Sequence, residues 1–183
     1  EGLFPDAVTY ICILKACGIT RSICKGKEIH KTIVSKGLLV KDPALGSALV
    51  DMYVKCGLLV KARQVLEQLV VRDVVLWSVL IAGYSQYEQF NDALNCFEQM
   101  RRKGLSPNAV TFICILKACG SIGDLKNGEE ISHEIIIGGL LDKDVVIGTA
   151  LVDMYAKCGM LKKARIVLEK LPVRNTGSWN ALI

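Results

Sequence analysis

The fold class predicted for this 183-residue sequence is all-α, an α-solenoid of helix-turn-helix repeats, and three observations carry it. The chain repeats itself at one long, fixed shift. Each repeat divides into segments whose apolar residues recur at helical spacing. The composition is 51% hydrophobic but only 6% aromatic with four prolines, so the apolar weight lies in Leu, Ile, Val and Ala, which suit packed helices. Such a composition excludes an intrinsically disordered chain. The longest mostly apolar stretch, Val74 to Gly83, is about half of the ~20 residues a membrane helix needs, so no membrane partner is expected. A net charge of +5 and a mean hydropathy of +0.37 permit a nucleic-acid partner without requiring one.

The repeat is read by self-comparison. AVTYICILKACG begins at Ala7 and AVTFICILKACG at Ala109, a shift of 102 residues. The same shift carries ALVDMYVKCG (Ala48–Gly57) onto ALVDMYAKCG (Ala150–Gly159), Ala62-Arg63 onto Ala164-Arg165, and Trp77 onto Trp179. A period this long exceeds one supersecondary unit. The turn signals Lys41-Asp42-Pro43, Val71-Arg72-Asp73 and Ser106-Pro107-Asn108 cut it into pieces of 36, 31 and 35 residues.

Each piece is expected to hold two short helices. In the first 36-residue piece, the β-branched run Val8–Ile13 could form a strand, but it leads unbroken into LKACG with no hairpin partner at turn distance, so a helix is expected. In the 31-residue piece, Leu49, Met52 and Tyr53 form one helical face and Ala62, Val65, Leu66 and Leu69 a second, after a stop at Cys56-Gly57. In the 35-residue piece, Trp77, Leu80, Ile81 and Tyr84 fall on one face, and Ala93, Leu94, Phe97 and Met100 on another. A single helix pair cannot hide such faces. Stacking on neighbouring pairs does, which is why the array is expected to be a solenoid.

The eight cysteines are expected to be reduced core residues. No signal-like apolar run opens the chain, and no C-x-x-C occurs, so neither a disulfide framework nor a metal site is expected. An enzyme is not expected either. His30 and His133 lie one residue out of the repeat register, and no Walker, GxGxxG or HExxH motif is present. His133-Glu134 matches the H-x-E of zinc deaminases only loosely and lacks a P-C-x-x-C partner.

The three alternating lengths, with the words they carry, resemble plant pentatricopeptide repeats of the PLS subclass. The segment VVLWSVLIAGYSQYEQFNDALNCFEQMRRKGLSPN resembles a P repeat (74–108), and the two ILKACG segments resemble L repeats (7–42 and 109–144). The two ALVDMY segments resemble S repeats (43–73 and 145–175). Residues 1–6 resemble the end of a preceding P repeat and 176–183 the start of a further one, so the chain is expected to be part of a longer, right-handed array. A tetratricopeptide array, a peptide-binding solenoid, is the rival: Trp77, Leu80, Tyr84, Ala93 and Phe97 fit part of its signature, but Ile81 stands where glycine is expected and the S pieces are too short.

What the resemblance implies is one-base-per-repeat binding of single-stranded RNA. In this family the base is selected by the fifth residue of a repeat together with its last. These are Ser47 with Asp73 in the first S repeat, Ser78 with Asn108 in the P repeat, and Thr149 with Asn175 in the second S repeat; Asn180 is the fifth residue of the final partial repeat. The chemistry agrees: a carboxylate only accepts hydrogen bonds and suits guanine's N1–H and amino group, whereas an amide donates and accepts and suits adenine. The implied core is n-G-A-n-A. The second residues Ala44, Val75, Val110 and Val146 would sandwich the bases, unless they are ordinary core residues. Isoleucine at Ile11 and Ile113, the fifth places of the L repeats, cannot hydrogen-bond a base, so no base is assigned there.

Lys15, Lys55, Lys117 and Lys157 recur with the 102-residue shift and are placed late in first helices, as candidate phosphate contacts or as solvated helix ends. The resemblance further implies a role in site recognition for C-to-U RNA editing in chloroplasts or mitochondria, with catalysis elsewhere and no cofactor. The alternative is a protein-interaction scaffold, binding peptides as tetratricopeptide arrays do or docking editing accessory proteins through the L repeats; self-association through the ends is expected in either case.

Overall fold

A computed structural model describes residues 5–69, 73–173 and 176–181. All regular structure among them is helical: α1 (Ala7–Thr20), α2 (Ile23–Ser35), α3 (Leu38–Lys41), α4 (Pro43–Lys55), α5 (Leu59–Gln68), α6 (Val74–Gln86), α7 (Phe90–Arg102), α8 (Ala109–Ile122), α9 (Leu125–Ile137), α10 (Val145–Lys157), α11 (Leu161–Lys170) and α12 (Thr176–Asn180). No helix among the described residues is long and apolar enough to cross a membrane. The chain divides into two compact units, Glu1–Gly83 and Tyr84–Ile183.

In the first unit α1 packs on α2 and α4, and α4 packs on α5. In the second, α8 packs on α7, α9 and α10, and α10 on α11. The helices α1, α4, α6, α8, α10 and α12, which begin at residues 7, 43, 74, 109, 145 and 176, are called first helices below; α2, α5, α7, α9 and α11 are second helices. The Val8–Ile13 run is helical, as expected. The 36-residue segment from Ala7 also contains α3, a single turn that the apolar pattern did not announce. A left-handed Gly37 starts it and Asp42 ends it.

The buried faces follow the spacing in the sequence. Leu49, Met52 and Tyr53 of α4 are buried, as are Ala62, Val65 and Leu66 of α5 and Trp77, Leu80, Ile81 and Tyr84 of α6. On α7 the expected face shifts by a fraction of a turn: Cys96 is fully buried beside Ala93, Phe97 and Met100, while Leu94 is half-buried. Burying a Leu- or Phe-sized side chain contributes roughly 1.5–3 kcal/mol, so these seams dominate the stability of each hairpin stack.

Where first helices meet, glycine sets the spacing. A Cβ added at Gly18 of α1 would lie 3.4 Å from the Met52 Cα of α4, and one at Gly120 of α8 would lie 3.1 Å from the Met154 Cα of α10. The two approaches are the same contact in the two copies of the repeat. The copies differ on the second-helix side. In the first unit His30 Nδ1 of α2 pairs with Tyr53 Oη of α4 at 2.8 Å, while burial, and then the charge of Lys61, push the imidazole pKa down. In the second unit Ser132 occupies the corresponding position, and an ion pair joins Lys163 of α11 to Glu129 of α9.

The cysteines correct the expectation of a uniform core set. Cys17, Cys96 and Cys119 are buried, but Cys12 and Cys24 are exposed, and Cys56, Cys114 and Cys158 are intermediate. The helical phase explains this, since Cys12 and Cys24 sit on the outward sides of α1 and α2. All eight are free thiols. Burial pushes the Cys119 thiol up to about 12. Native thiol labelling should therefore modify Cys12 and Cys24 quickly and leave Cys17, Cys96 and Cys119 unmodified until unfolding, a pattern that mass spectrometry of a time course would read.

Arg21 (φ 52°) ends α1 in the left-handed region, where its repeat counterpart after α8 is Gly123 (φ 72°). A non-glycine residue in that region costs roughly 1–2 kcal/mol, partly offset by the greater chain entropy that glycine loses on folding. Arg21→Gly should thus stabilise the fold by about 0.5–1 kcal/mol, measured as a shift of the urea midpoint at constant slope.

Candidate nucleic-acid interface

The first helices carry the candidate residues, and the start points of α1, α4, α6, α8 and α10 are fixed by side-chain caps. Asp6 Oδ1 accepts from Thr9 N at 2.8 Å, Asp42 Oδ1 from Ala44 N at 2.9 Å, and Asp73 Oδ1 from Leu76 N at 2.9 Å. Asn108 Oδ1 accepts from Thr111 N at 2.9 Å and from the Thr111 hydroxyl at 3.0 Å, and Asp144 Oδ1 from Val146 N at 2.8 Å. Each satisfies one of the backbone donors that a helix start leaves without an intrahelical partner. Asp73 and Asn108 are therefore N-caps, a structural duty that exists with or without a ligand.

Capping engages only half of each group. With Oδ1 committed to the Leu76 amide, Asp73 has Oδ2 as its remaining acceptor, and the residue is exposed. Asn108 spends both lone pairs of Oδ1 on Thr111, which leaves the Nδ2 hydrogens as what it can offer outward. The caps thus convert an acid-amide difference into an acceptor-donor difference.

Two surface grooves gather most of the remaining candidates. In the first unit, Ala44, Ser47, Asp73, Val75, Lys15 and Ile11 line a groove of about 350 Å³ between α1, α4 and α6. In the second unit, Val146, Thr149, Asn180, Lys117, Lys157 and Ile113 line one of about 490 Å³ between α8, α10 and α12. Ile11, Lys15, Ala44 and Ser47 correspond to Ile113, Lys117, Val146 and Thr149 at the 102-residue shift, so the two grooves are copies. Val75, Val110 and Val146 are 62%, 49% and 59% exposed, and Ala44 is also exposed; the alternative that these are ordinary core residues is excluded.

Not every candidate is presented. The hydroxyls of Ser47 and Thr149 are half-buried and donate back to Pro43 O at 3.3 Å and Val145 O at 2.9 Å, bonds they can exchange for a ligand acceptor. Ser78 differs: it is only 4% exposed and donates to Val74 O at 2.7 Å, so of the pair Ser78 and Asn108 only Asn108 reaches the surface. Asn180 is exposed at the end of α12, and Asn175 lies outside the described residues.

The lysines also need correction. Lys55 and Lys157 do end α4 and α10, but Lys15 and Lys117 sit in the middle of α1 and α8, which run on to Thr20 and Ile122. The sequence cue, a following Cys-Gly, marks a helix end after Lys55 and Lys157 but not in α1 and α8, where Gly18 and Gly120 are helical. Asp51 and Asp153, overlooked in the sequence, lie in the grooves beside them, although their spacing of four before Lys55 and Lys157 was visible. Among the described residues no group of three His, Cys, Asp or Glu side chains could hold a metal ion.

All-helical hairpins, a repeat shift and paired groove residues on first helices define a helical-repeat array. The chain belongs to the pentatricopeptide-repeat family: the PPR repeat family model matches residues 72–121, and the PPR repeat model matches 47–74 and 149–175. It is similar to a mitochondrial pentatricopeptide repeat-containing protein of Arabidopsis thaliana, with 38% identity over 182 residues, all of this chain and 32% of the relative. A chloroplastic Arabidopsis thaliana protein of the same kind is 37% identical, covering 98% of this chain and 29% of the relative. The chain thus spans about a third of the length of these curated relatives. The fold matches that of the maize pentatricopeptide repeat protein PPR10 with a TM-score of 0.72 at 22% identity, over 99% of this chain and 27% of that one. The same protein solved in complex with an 18-nt psaJ RNA element matches with a TM-score of 0.74 at 18% identity.

The capping role has a direct test. Asn108→Ala should destabilise the fold by about 1 kcal/mol, whereas Asn108→Asp should stay within a few tenths, as judged from chemical denaturation curves.

Proposed function

We propose that this chain binds single-stranded RNA in a sequence-specific way, one base per repeat, through the repeats 7–42, 43–73, 74–108, 109–144 and 145–175. The single observation that carries the reading is the convergence, in one groove, of an exposed aliphatic pair (Ala44, Val75) with a hydroxyl (Ser47) and a half-committed carboxylate (Asp73). The aliphatic pair can sandwich a base while the polar pair meets its edge. The maize relative crystallised with an RNA element supports the ligand class.

Base preference follows from the atoms left free by capping. Asp73 Oδ2 is an acceptor and suits the N1–H and amino donors of guanine; Asn108 Nδ2 is a donor and suits the ring-nitrogen acceptor of adenine. With Asn175 treated like Asn108, the preferred core is n-G-A-n-A. Ile11 and Ile113 line the same grooves as the reading residues, which supports their role as apolar walls of an RNA channel rather than as a separate docking surface for accessory proteins. The finer reading is a PLS-type, site-recognition segment of a C-to-U editing factor. The mitochondrial and chloroplastic relatives support action in one of those organelles.

Asp73→Asn should move the preference at the base facing Ser47 and Asp73 from guanine to adenine by about 1–3 kcal/mol, roughly five- to 150-fold in relative affinity. The fold should be retained, because asparagine caps a helix as well as aspartate does. Competition binding with RNAs differing only at that base measures the swing. An unchanged guanine-to-adenine ratio would reduce Asp73 to its cap, and equal binding of duplex and single strand would count against base reading altogether.

A further inference from the structure

We infer that Asp51 and Asp153 limit the affinity of this chain for RNA, each by neutralising the lysine one turn further along its helix and keeping it from phosphates. The inference rests on the RNA-binding reading above. Lys55 Nζ lies 2.7 Å from Asp51 Oδ2, and Lys157 Nζ lies 2.7 Å from Asp153 Oδ2. Both carboxylates line the grooves that hold the base-reading candidates, Asp51 with Ser47 and Asp73, Asp153 with Thr149 and Asn180.

The lysines are placed as well as neutralised. The Lys55 stem crosses α1 so closely that a Cβ at Gly18 would lie 3.1 Å from its Cδ; at Gly120 the Lys157 Cδ would be 3.3 Å away. Each stem is thus laid against the neighbouring first helix, with its ammonium at the carboxylate. Lys15 and Lys117 have no ion-pair partner among the described residues, so each groove holds one unneutralised cation; the neutralised Lys157 lines the second groove, and the neutralised Lys55 reaches the first through Asp51.

A phosphate approaching Lys55 or Lys157 must displace or tolerate a carboxylate of its own sign. The neutralised lysine therefore adds little to the salt-dependent, sequence-independent part of binding, and base edges decide more of the affinity. A pair that merely supported the helix would give a few tenths of a kilocalorie wherever it lay. The carboxylate of the pair lines the groove in both copies, which points to the ligand.

The test replaces both carboxylates, Asp51→Asn with Asp153→Asn, and measures binding of single-stranded RNA across a salt series. Freeing the lysines should tighten binding roughly fivefold per lysine near 0.1 M salt and steepen the salt slope by ~0.7 per lysine, with the guanine-to-adenine ratio unchanged. The gain should disappear when Lys55→Ala and Lys157→Ala are added. Glu67→Gln with Glu98→Gln, the same charge change made on second helices, should give a much smaller gain.

Unchanged affinity, a gain equal to that of the second-helix control, or a gain that survives without the two lysines would overturn the inference. So would weaker binding, because the carboxylates would then be contacting RNA themselves. Circular dichroism checks the helix, and if the asparagine pair loses it, Asp51→Gln with Asp153→Gln takes its place, since glutamine is the better helix former. If the wild-type chain does not prefer single-stranded RNA over duplex, the RNA-binding reading itself fails, a result distinct from failure of the carboxylate effect alone.

Discussion

The N-cap at the start of α1, α4, α6, α8 and α10 is the constraint on which the rest depends. Asp6, Asp42, Asp73, Asn108 and Asp144 each hold the first free amides of the helix that follows. By fixing where the helix begins, the cap fixes its phase, and about 100° of rotation separates one residue from the next. The buried face, the exposed valines and the groove-lining hydroxyls are all set by that choice. The cap side chain has two polar atoms, and committing one inward leaves the other as a fixed outward probe. Under the proposed RNA reading, stability and recognition are properties of the same residue at Asp73 and Asn108, so that aspartate and asparagine are mutually replaceable for folding but not for base preference.

The second helices and their turns hold the first helices in place. Gly57 and Gly159 follow α4 and α10 with φ of 73° and 74°, and the amides of Leu58 and Met160 return to Tyr53 O and Tyr155 O. This is the left-handed glycine stop that closes a helix and turns the chain back. Gly18 and Gly120 then let α1 approach α4, and α8 approach α10, close enough for the lysine stems to cross them. The grooves are consequences of this close packing, because their walls belong to neighbouring first helices.

Much of the fold was legible because repetition supplies its own control. A word that recurs after 102 residues with its apolar spacing intact cannot easily be a coincidence of local propensity. The Leu49, Met52 and Tyr53 face and the Trp77 face were read correctly for that reason. Details that depend on exact phase were not legible. The turn of α3, the outward position of Cys12, the burial of Ser78 and the mid-helix location of Lys15 each hinge on one residue of rotation or length. The site was partly legible: Ala44, Ser47, Asp73 and Val75 converge on one groove, but the division of labour between the two Oδ atoms of Asp73 is set by the cap geometry. Asp51 and Asp153 had a readable signal, an acid four residues before a lysine in both copies, which loses significance when helices are read only for their apolar faces.

Duplication of the scaffold does not entail duplication of its response to the surroundings. Where the first copy joins α2 to α4 by a neutral His30–Tyr53 bond, the second joins α9 to α11 by the Glu129–Lys163 ion pair. Because burial depresses the His30 pKa, the unfolded chain takes up a proton there more readily than the folded one as the pH falls below about 6.5, and the first copy loses stability in mild acid. The exposed ion pair of the second copy is weakened instead by ionic strength. Acidification would thus loosen one copy and salt the other, so that the two sequence-related hairpin stacks differ in the solution chemistry each can tolerate.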